Sequence, residues 1–514
     1  MPEANAEVEV LIVGGGPVGL TARALLERWG VRTLLVEKHR ELAPFPRSRL
    51  VNVRTMEIYR GLGLAAGMTA RAFAPEYGRI RFRDSMQHPD FASAAMVGVH
   101  APIAESPEIG IVTSQDRLEP ALLDAARAPM RFGVELVDLR ETGASVEAVL
   151  DEQGAPSTVR ARWLIAADGA NSTVRQRLGI GTTGPGVLAD FTTVVFDADL
   201  DRWCADQPAG VYFTMNGLFG PLYPDHGWAW LVRTPDDTAG SDWRAHVARA
   251  LGPDHDISIE VLRVQHWAMN ATVAERFRAG RVLLAGDAAH AMPIIGGLGM
   301  NTGIADVHNL CWKLAGVLRG WAGAGLLESY AAERLPVAQR TLGQTVANTQ
   351  LTLQVQSRRQ EQTLLGADPG IVELPWSEQY FAQLGLVLGV VYRSDAVLDD
   401  GSADESAATG TDYIPTPLPG HRMPHLWLAP ERSTLDTLGE WFTLFTPDPG
   451  RWQASTAPWP LRLEPLTGEH ADACDLGADG ALLVRPDGHI AARWHDRPPG
   501  DSTLHDALAA ITRP

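Results

Sequence analysis

Apolar residues run unbroken from Val10 to Val13, the pattern of a strand buried on both faces of a parallel sheet. The segment "VEVLIVGGGPVGLTARALLERWGVRTLLVEK" predicts a strand, a turn, a helix and a second strand. Pro17 stands early, where a helix tolerates a missing N–H. Gly30 stands where that helix stops, and Val31–Val36 supplies the next strand. A later strand, "RWLIAADG", ends at Asp168-Gly169 and precedes a polar helix start, "ANSTVRQRLGI". From about Thr182 to Phe277 the pattern shortens to pieces such as "GVYFTM" and "GWAWLVRT", aromatic and β-branched between turn residues. This predicts an inserted antiparallel sheet forming its own layer. The chain then returns through "GRVLLAGD". Ile304, Val307, Leu310, Cys311, Leu314 and Val317 recur at helical spacing, so Asn301–Arg319 is expected to be a helix with one core-facing stripe.

Glu328–Gln356 is also helical in pattern, and Asp399–Thr416 reads as an acidic, small-residue linker. Beyond it, "EWFTLFT" and "GALLVRPDG" are strand candidates in an α/β pattern. The expected domains are 1–181 with 278–350, 182–277, a helical segment and linker at 351–415, and a final unit at 416–514. The fold class is α/β: a Rossmann-like domain, an inserted mostly antiparallel sheet, and a small C-terminal domain. No internal repeat is apparent.

Composition narrows the chemistry. With 45% hydrophobic and 21% charged residues, the chain has a globular composition. No run approaches ~18 uninterrupted apolar residues, so no membrane-spanning helix is expected. The start carries neither a basic leader nor a secretory apolar segment, and a cytoplasmic location is expected. A net charge of −18 disfavours a nucleic-acid partner. Cys204, Cys311 and Cys474 are the three cysteines; they are widely spaced and form no CxxC or metal pattern. Lys38 and Lys313 are the only lysines, which leaves few candidates for lysine chemistry.

Gly14, Gly16 and Gly19 satisfy G-x-G-x-x-G between strand and helix. The first permits the tight turn, the second lets backbone approach a pyrophosphate, and the third allows close helix–strand packing. The helix N-terminus, at Pro17 and Val18, offers N–H groups to that pyrophosphate. Glu37 follows about 20 residues on, where a carboxylate accepts bonds from ribose hydroxyls, with Lys38 beside it. Together these read as a dinucleotide site without separating NAD from FAD. The separation comes from "GRVLLAGDAAHAMPIIGGLGMNTGIADVHNLCWKL". FAD extends past its pyrophosphate through a ribityl chain and a three-ring isoalloxazine, and needs a second holding point. Asp287, after Gly286, can accept from ribityl hydroxyls. Gly296, Gly297 and Gly299 let backbone lie against the ring edge. The helix beginning near Met300 and Asn301 turns its positive end to the edge where reduction deposits negative charge.

The motifs "GGGPVG" with Glu37, "AADGANSTVR" and the stretch just quoted, in this order, resemble the class A flavin-dependent aromatic hydroxylases. That group includes p-hydroxybenzoate, phenol and polyketide hydroxylases. The resemblance covers nearly the whole chain and implies FAD contacts at Glu37, Asp287 and Gly299–Asn301. It implies that Arg47 of "PRSRLVNVRTMEIYR" approaches the FAD, and that Gln115 of "SQDRLEPALLDAA" contacts its ribityl or ring region. It also implies that Asp168 serves FAD and NAD(P)H binding. Each has a plainer reading: Arg47 as a surface ion-pair partner, Gln115 as a cap, Asp168 as a helix N-cap. One departure is visible: Ile294-Ile295 follow Pro293, where many members carry a second proline, at the loop that abuts the flavin's reactive edge. The C-terminal segments "GHRMPHLWL", "STLDTLGEWFTLF" and "LLVRPDGHIAARW" resemble the thioredoxin-like domain of the phenol and polyketide branch, here without a CxxC for dithiol exchange.

The resemblance implies that NADPH or NADH reduces FAD, that dioxygen adds at flavin C4a to give a hydroperoxide, and that its distal oxygen attacks an electron-rich ring. An aromatic small molecule is the expected partner, on a monomer or homodimer. The substrate is expected between the flavin loop and the inserted sheet. Tyr212, Phe213, Tyr223, Trp228, Trp230, His266 and Trp267 are the aromatic candidates there, with Tyr223 and Trp228 preferred for the pocket. About half must face away in alternating strands. His266 is a candidate general base whose plainer reading is a satisfied sheet histidine. A halogenase is disfavoured: Trp228-Ala-Trp230 echoes W-x-W, but Leu-Val-Arg follows and neither lysine is well placed. A Baeyer–Villiger oxygenase and a non-catalytic flavin-binding protein remain open readings, separable by NAD(P)H oxidation stimulated by a phenolic ligand.

Overall fold

The computed structural model describes residues 6–43, 47–224, 226–236, 240–253, 256–365, 372, 383–402, 412–452, 458–496 and 502–512. Much of the expected linker, and part of the helical segment before it, lies outside these residues. The chain opens with β1 (Ala6–Val13), α1 (Pro17–Arg28) and β2 (Thr33–Glu37). There follow β3 (Leu50–Val51), α2 (Val53–Gly61), β4 (Arg79–Arg83) and β5 (Asp90–Ala95). Next come α3 (Gln115–Asp124), β6 (Met130–Phe132), β7 (Ala155–Ala166) and α4 (Thr173–Arg177). The second layer holds β8 (Thr182–Asp197), β9 (Val211–Thr214), β10 (Gly217–Pro221), β11 (Trp228–Arg233), α5 (Trp243–Leu251) and β12 (Glu260–Ala274). The return brings β13 (Val282–Leu284), β14 (His290–Ala291), α6 (Gly299–Arg319) and α7 (Glu328–Leu364).

In the first sheet β13, β7, β1, β2 and β6 lie side by side and parallel. Val10, Leu11 and Ile12 are wholly buried at its centre, as a strand covered on both faces requires. The second sheet runs β14-β12-β8-β11-β10-β9-β4-β5. It is antiparallel except where β9 meets β4 in parallel. Here the structure differs from the expected limits, because β4 and β5, at residues 79–95, belong to the inserted layer's sheet. That pairing is between strands far apart in sequence, and no local pattern announces it.

The C-terminal unit contains β15 (Phe442–Thr446), β16 (Leu461–Pro465), α8 (Gly468–Ala473), β17 (Ala481–Val484), β18 (Ile490–Trp494) and α9 (Thr503–Thr512). Its order is β16-β15-β17-β18, with the first pair parallel and the others antiparallel, the thioredoxin plan. This unit changes the status of α6, which was expected to bury one stripe. Asn309, Trp312, Lys313 and Gly316 are buried too, because the C-terminal domain covers the helix's second side. Trp312 meets Phe442 edge-on, with ring centroids 5.7 Å apart. The helical pattern expected at Glu328–Gln356 is part of α7, which runs on to Leu364 and carries Pro336 within it.

Candidate active site

The first glycine loop is shaped by close approach. Gly14 has φ +108°, and a Cβ there would strike the Ala167 carbonyl; one at Gly19 would strike the Gly14 carbonyl. At Gly16, by contrast, a Cβ would meet nothing within 4 Å. Gly16 is the N-cap of α1 and Pro17 opens the helix, with no side chain capping it. The helix end therefore presents its N–H groups to open space, as an anion site does. Glu37 closes the loop: its Oε2 accepts from the Gly15 N–H at 2.6 Å. Lys38 is exposed.

The second loop is locked onto the first. A Cβ at Gly286 (φ +60°) would meet Val18 Cγ2 at 2.9 Å. A Cβ at Gly303, on α6, would sit 2.7 Å from Gly286 Cα and 2.7 Å from Val18 Cγ2. Asp287 is solvent-exposed yet surrounded by enough protein that desolvation raises its pKa, with His290 and Arg47 pulling it down. Exposure amid dense protein describes the floor of a cleft. Arg47, itself exposed, also acts on Glu119, whose pKa burial raises. Gln115 Nε2 donates to Glu119 Oε1 at 2.7 Å. The Arg47 charge thus acts on both Asp287 and Glu119.

Asp168 supports a helix start: its oxygens accept from Ser172 Oγ at 2.6 Å and from the Val174 N–H at 3.1 Å. Arg175 then ties α4 to the second loop by donating to the Ala288 carbonyl at 2.8 Å. The N-cap itself is Ser172, whose Oγ accepts from the Arg175 N–H at 2.9 Å; Asp168 braces that cap, a role compatible with cofactor support. Pro293 is buried. Gly296 (φ +104°) and Gly297 (φ +63°) press against Asn348 and Leu50. Helix α6 begins at Gly299 and Met300 without a side-chain cap. The Asn301 side chain is otherwise engaged. Its Nδ2 donates to the Leu50 and Gly297 carbonyls at 2.9 and 2.7 Å, and its Oδ1 accepts from the Asn52 N–H at 2.9 Å. It staples the loop to β3, so only its backbone is left for a flavin. An open cradle at Gly16, two uncapped helix starts and an acid on a cleft floor fit an extended dinucleotide with a flavin at its far end.

Strand parity decides the substrate side. Val195, Ala229, Leu222, Tyr223 and Leu231 pack on one face of the second sheet. Val194, Phe196, Trp228 and Trp230 pack on the other, under α5. Tyr223 bridges toward the cofactor domain: its hydroxyl donates to Asp116, next to Gln115 on α3. Trp228 is corrected: it belongs to the outer core with Tyr212 and Val247, not to the pocket. His266 is corrected likewise. It is exposed, bonded through Nδ1 to Thr192 Oγ1 at 2.8 Å and beside Trp243 of α5, on the face away from the flavin loop.

The sequence reading missed Arg49 and Asp116. Arg49 donates to the Pro221 carbonyl at 2.5 Å and the Gly210 carbonyl at 2.9 Å. No carboxylate among the described residues pairs with it, and burial holds its pKa down to about 10. Its guanidinium lies against Gly220 of β10, while the neighbouring Leu50 packs on Gly297. Arg49 stands two residues beyond Arg47 and Asp116 directly follows Gln115, but nothing local marks either.

Residues 7–345 match the family described as FAD binding domain, and residues 416–513 that described as aromatic-ring hydroxylase, C-terminal. The chain belongs to the FAD-dependent aromatic-ring hydroxylases, monooxygenases that act on aromatic substrates. It is 35% identical to a 4-methyl-5-nitrocatechol 5-monooxygenase of Burkholderia sp, over 99% of this chain and 98% of that one. It is 34% identical to an aklavinone 12-hydroxylase of Streptomyces purpurascens, over 95% of each. Among solved structures, the flavin-dependent monooxygenase PieE with FAD and substrate superposes with a TM-score of 0.89 at 32% identity, over 99% of both chains. An aklavinone-11 hydroxylase with FAD and aklavinone gives 0.85 at 32% identity, over 100% of both. FAD is the cofactor of this enzyme. No helix among the described residues is long and apolar enough to cross a membrane.

Proposed function

We propose that this enzyme hydroxylates a phenolic ring of a multi-ring, polyketide-type aromatic compound, with NADPH or NADH as reductant. Relatives that act on aklavinone and related polyketides, matched over nearly their full length, support the substrate class. The observation that carries the site assignment is the Tyr223–Asp116 hydrogen bond, which joins the substrate layer to the cofactor domain. Bound FAD, once reduced, activates dioxygen and supplies the oxygen atom.

The chain's own residues hold, shield and deprotonate. The α1 N-terminus and Glu37 take the adenosine diphosphate half, while Asp287 and the N-terminal turn of α6 take the flavin half. Burial first, and Asp116 second, push the Tyr223 phenol well above its usual range, so it stays protonated and donates to Asp116. A substrate phenol that donates to Tyr223 Oη can pass its proton to that oxygen as the Tyr223 proton moves to Asp116 Oδ2. The phenolate left behind is more electron-rich at its ortho and para carbons. Arg49, with carbonyl partners only, favours that negative charge in a dry cleft. The excess of acidic residues disfavours nucleic acid as a partner, and we place the enzyme in the cytoplasm as a monomer or homodimer.

The test is a panel of one-ring and multi-ring phenols with labelled dioxygen. Ligand-stimulated NAD(P)H oxidation and a product bearing one labelled oxygen are expected for multi-ring members. Turnover confined to single-ring phenols would overturn the substrate class.

A further inference from the structure

Six charged side chains are buried together where the C-terminal domain meets α6 and α7: Lys313, Glu333, Arg334, Asp306, Arg485 and Asp487. Glu333 is the hub. It accepts from Arg485 NH1 and NH2 at 2.6 and 2.9 Å, from Lys313 Nζ at 2.6 Å and from Asn309 Nδ2 at 2.6 Å. The next residue, Arg334, reaches toward the Gly286–His290 turn. Its Nε donates to Asp306 Oδ1 at 2.7 Å and its NH2 to the Thr302 carbonyl at 3.0 Å. Asp306 Oδ2 in turn accepts from the Gly286 N–H at 3.1 Å and from His290 Nε2 at 2.6 Å. Tyr392 bridges the two halves. Its hydroxyl accepts from Arg334 NH1 at 3.2 Å, and its ring lies 5.2 Å from the Arg485 guanidinium. Well-packed apolar side chains of similar volume often stabilise as well as a buried ion network does. A buried ion network can serve to specify geometry, and here one end of it is the Gly286 N–H.

We propose that Arg485 of the C-terminal domain is a positioning residue for the flavin: through Glu333 and the adjoining Arg334 it orients Asp306, the carboxylate that holds the Gly286–His290 turn. The C-terminal domain is then a remote wall of the cofactor site. The inference rests on the reading that this turn lies on the flavin half of FAD, and the experiment separates the two.

Full-length apoprotein is titrated with FAD by flavin fluorescence, and the flavin midpoint potential is measured after reconstitution. Asp287→Ala reports on the turn. Arg485→Met tests the network, Arg485→Lys restores its charge, and Leu482→Ala, in the C-terminal core away from the seam, loosens that domain without touching a charge. Arg485→Met should weaken FAD binding about tenfold, within the range usual for coupled sites, and shift the midpoint potential. Arg485→Lys should recover most of both. Leu482→Ala should lower the melting temperature and leave FAD affinity alone. Wild-type affinity in Arg485→Met, with Asp287→Ala weakened, overturns the inference. So does a Leu482→Ala loss as large as that of Arg485→Met. An Asp287→Ala variant with unchanged affinity overturns the reading beneath it, and the inference with it. If Arg485→Met does not fold, Tyr392→Phe decides: weaker FAD binding supports the relay and unchanged binding ends it.

Discussion

Gly303→Ala probes the lock between the two glycine loops. The added methyl would lie 2.7 Å from Gly286 Cα and 2.7 Å from Val18 Cγ2, about 1 Å inside ordinary carbon–carbon contact. One obstacle is backbone, so the loops must part. Overpacking of this kind costs ~1–3 kcal/mol, while replacing a helical glycine by alanine returns about 1 kcal/mol. In apoprotein the loops can separate and relieve the clash, which leaves only the helix gain. FAD requires the loops at their native distance, so the cost falls on binding, and affinity should drop about 5- to 150-fold. Reconstitution of apoprotein followed by flavin fluorescence measures this, with circular dichroism and a thermal melt confirming the fold. Val18→Ala in the same background should recover part of the loss, since it removes the side-chain obstacle and leaves the backbone one. A folded Gly303→Ala protein that binds FAD as tightly as wild type would refute the claim that the loops close on one ligand.

Tyr223→Phe keeps the ring and removes the proton relay. We expect kcat to fall by roughly 100-fold, the lower range for a lost acid–base group, with FAD affinity unchanged; equal kcat would remove Tyr223 from the chemistry. His266→Ala should leave both turnover and its pH profile as they are, because the ring sits on the outer face, and a changed profile would contradict the strand parity. Burial, offset in part by Asp487, holds His489 down at about 4. The unfolded chain therefore binds more protons between about pH 6.5 and 4, and stability falls as pH drops through that window. A pKa lowered from 6.5 to about 4 corresponds to about 3 kcal/mol. Thermal melts across this range should show the decline, and His489→Gln should make it shallower, the remainder coming from His308, which burial holds at about 3; an equally steep decline in His489→Gln would assign none of the acid sensitivity to His489.

Features dictated by local covalent geometry were legible in the sequence. Gly14, Gly16 and Gly19 stand where backbone meets backbone or where a ligand needs room. Glu37 follows from strand length, and the start of α6 from its apolar spacing. Features that depend on which face of a strand looks inward were not. Trp228 and Tyr223 are near neighbours of similar character, and only the partners of β11 tell them apart. The pairing of β4 with β9 joins segments more than a hundred residues apart, and the charges at Arg485 and Asp487 read locally as an ordinary "RPDG" turn. Arg49 was passed over because a buried arginine served by carbonyls has no sequence signature. Asn301 was placed correctly on its helix, but its amide is committed to Leu50 and Gly297.

The second sheet departs from the cofactor scaffold and rejoins it at neighbouring points, for Thr182 lies opposite Ala274. A module tethered in this way can be swapped between enzymes of the same plan without re-threading the part that carries the coenzyme, so new substrates are accessible by recombination. The limit lies at Val211–Thr214, which is zipped to Ile80–Arg83 from outside the module. A graft confined to residues 182–274 would meet a foreign edge there, and a working chimaera must carry the 79–95 hairpin along with it.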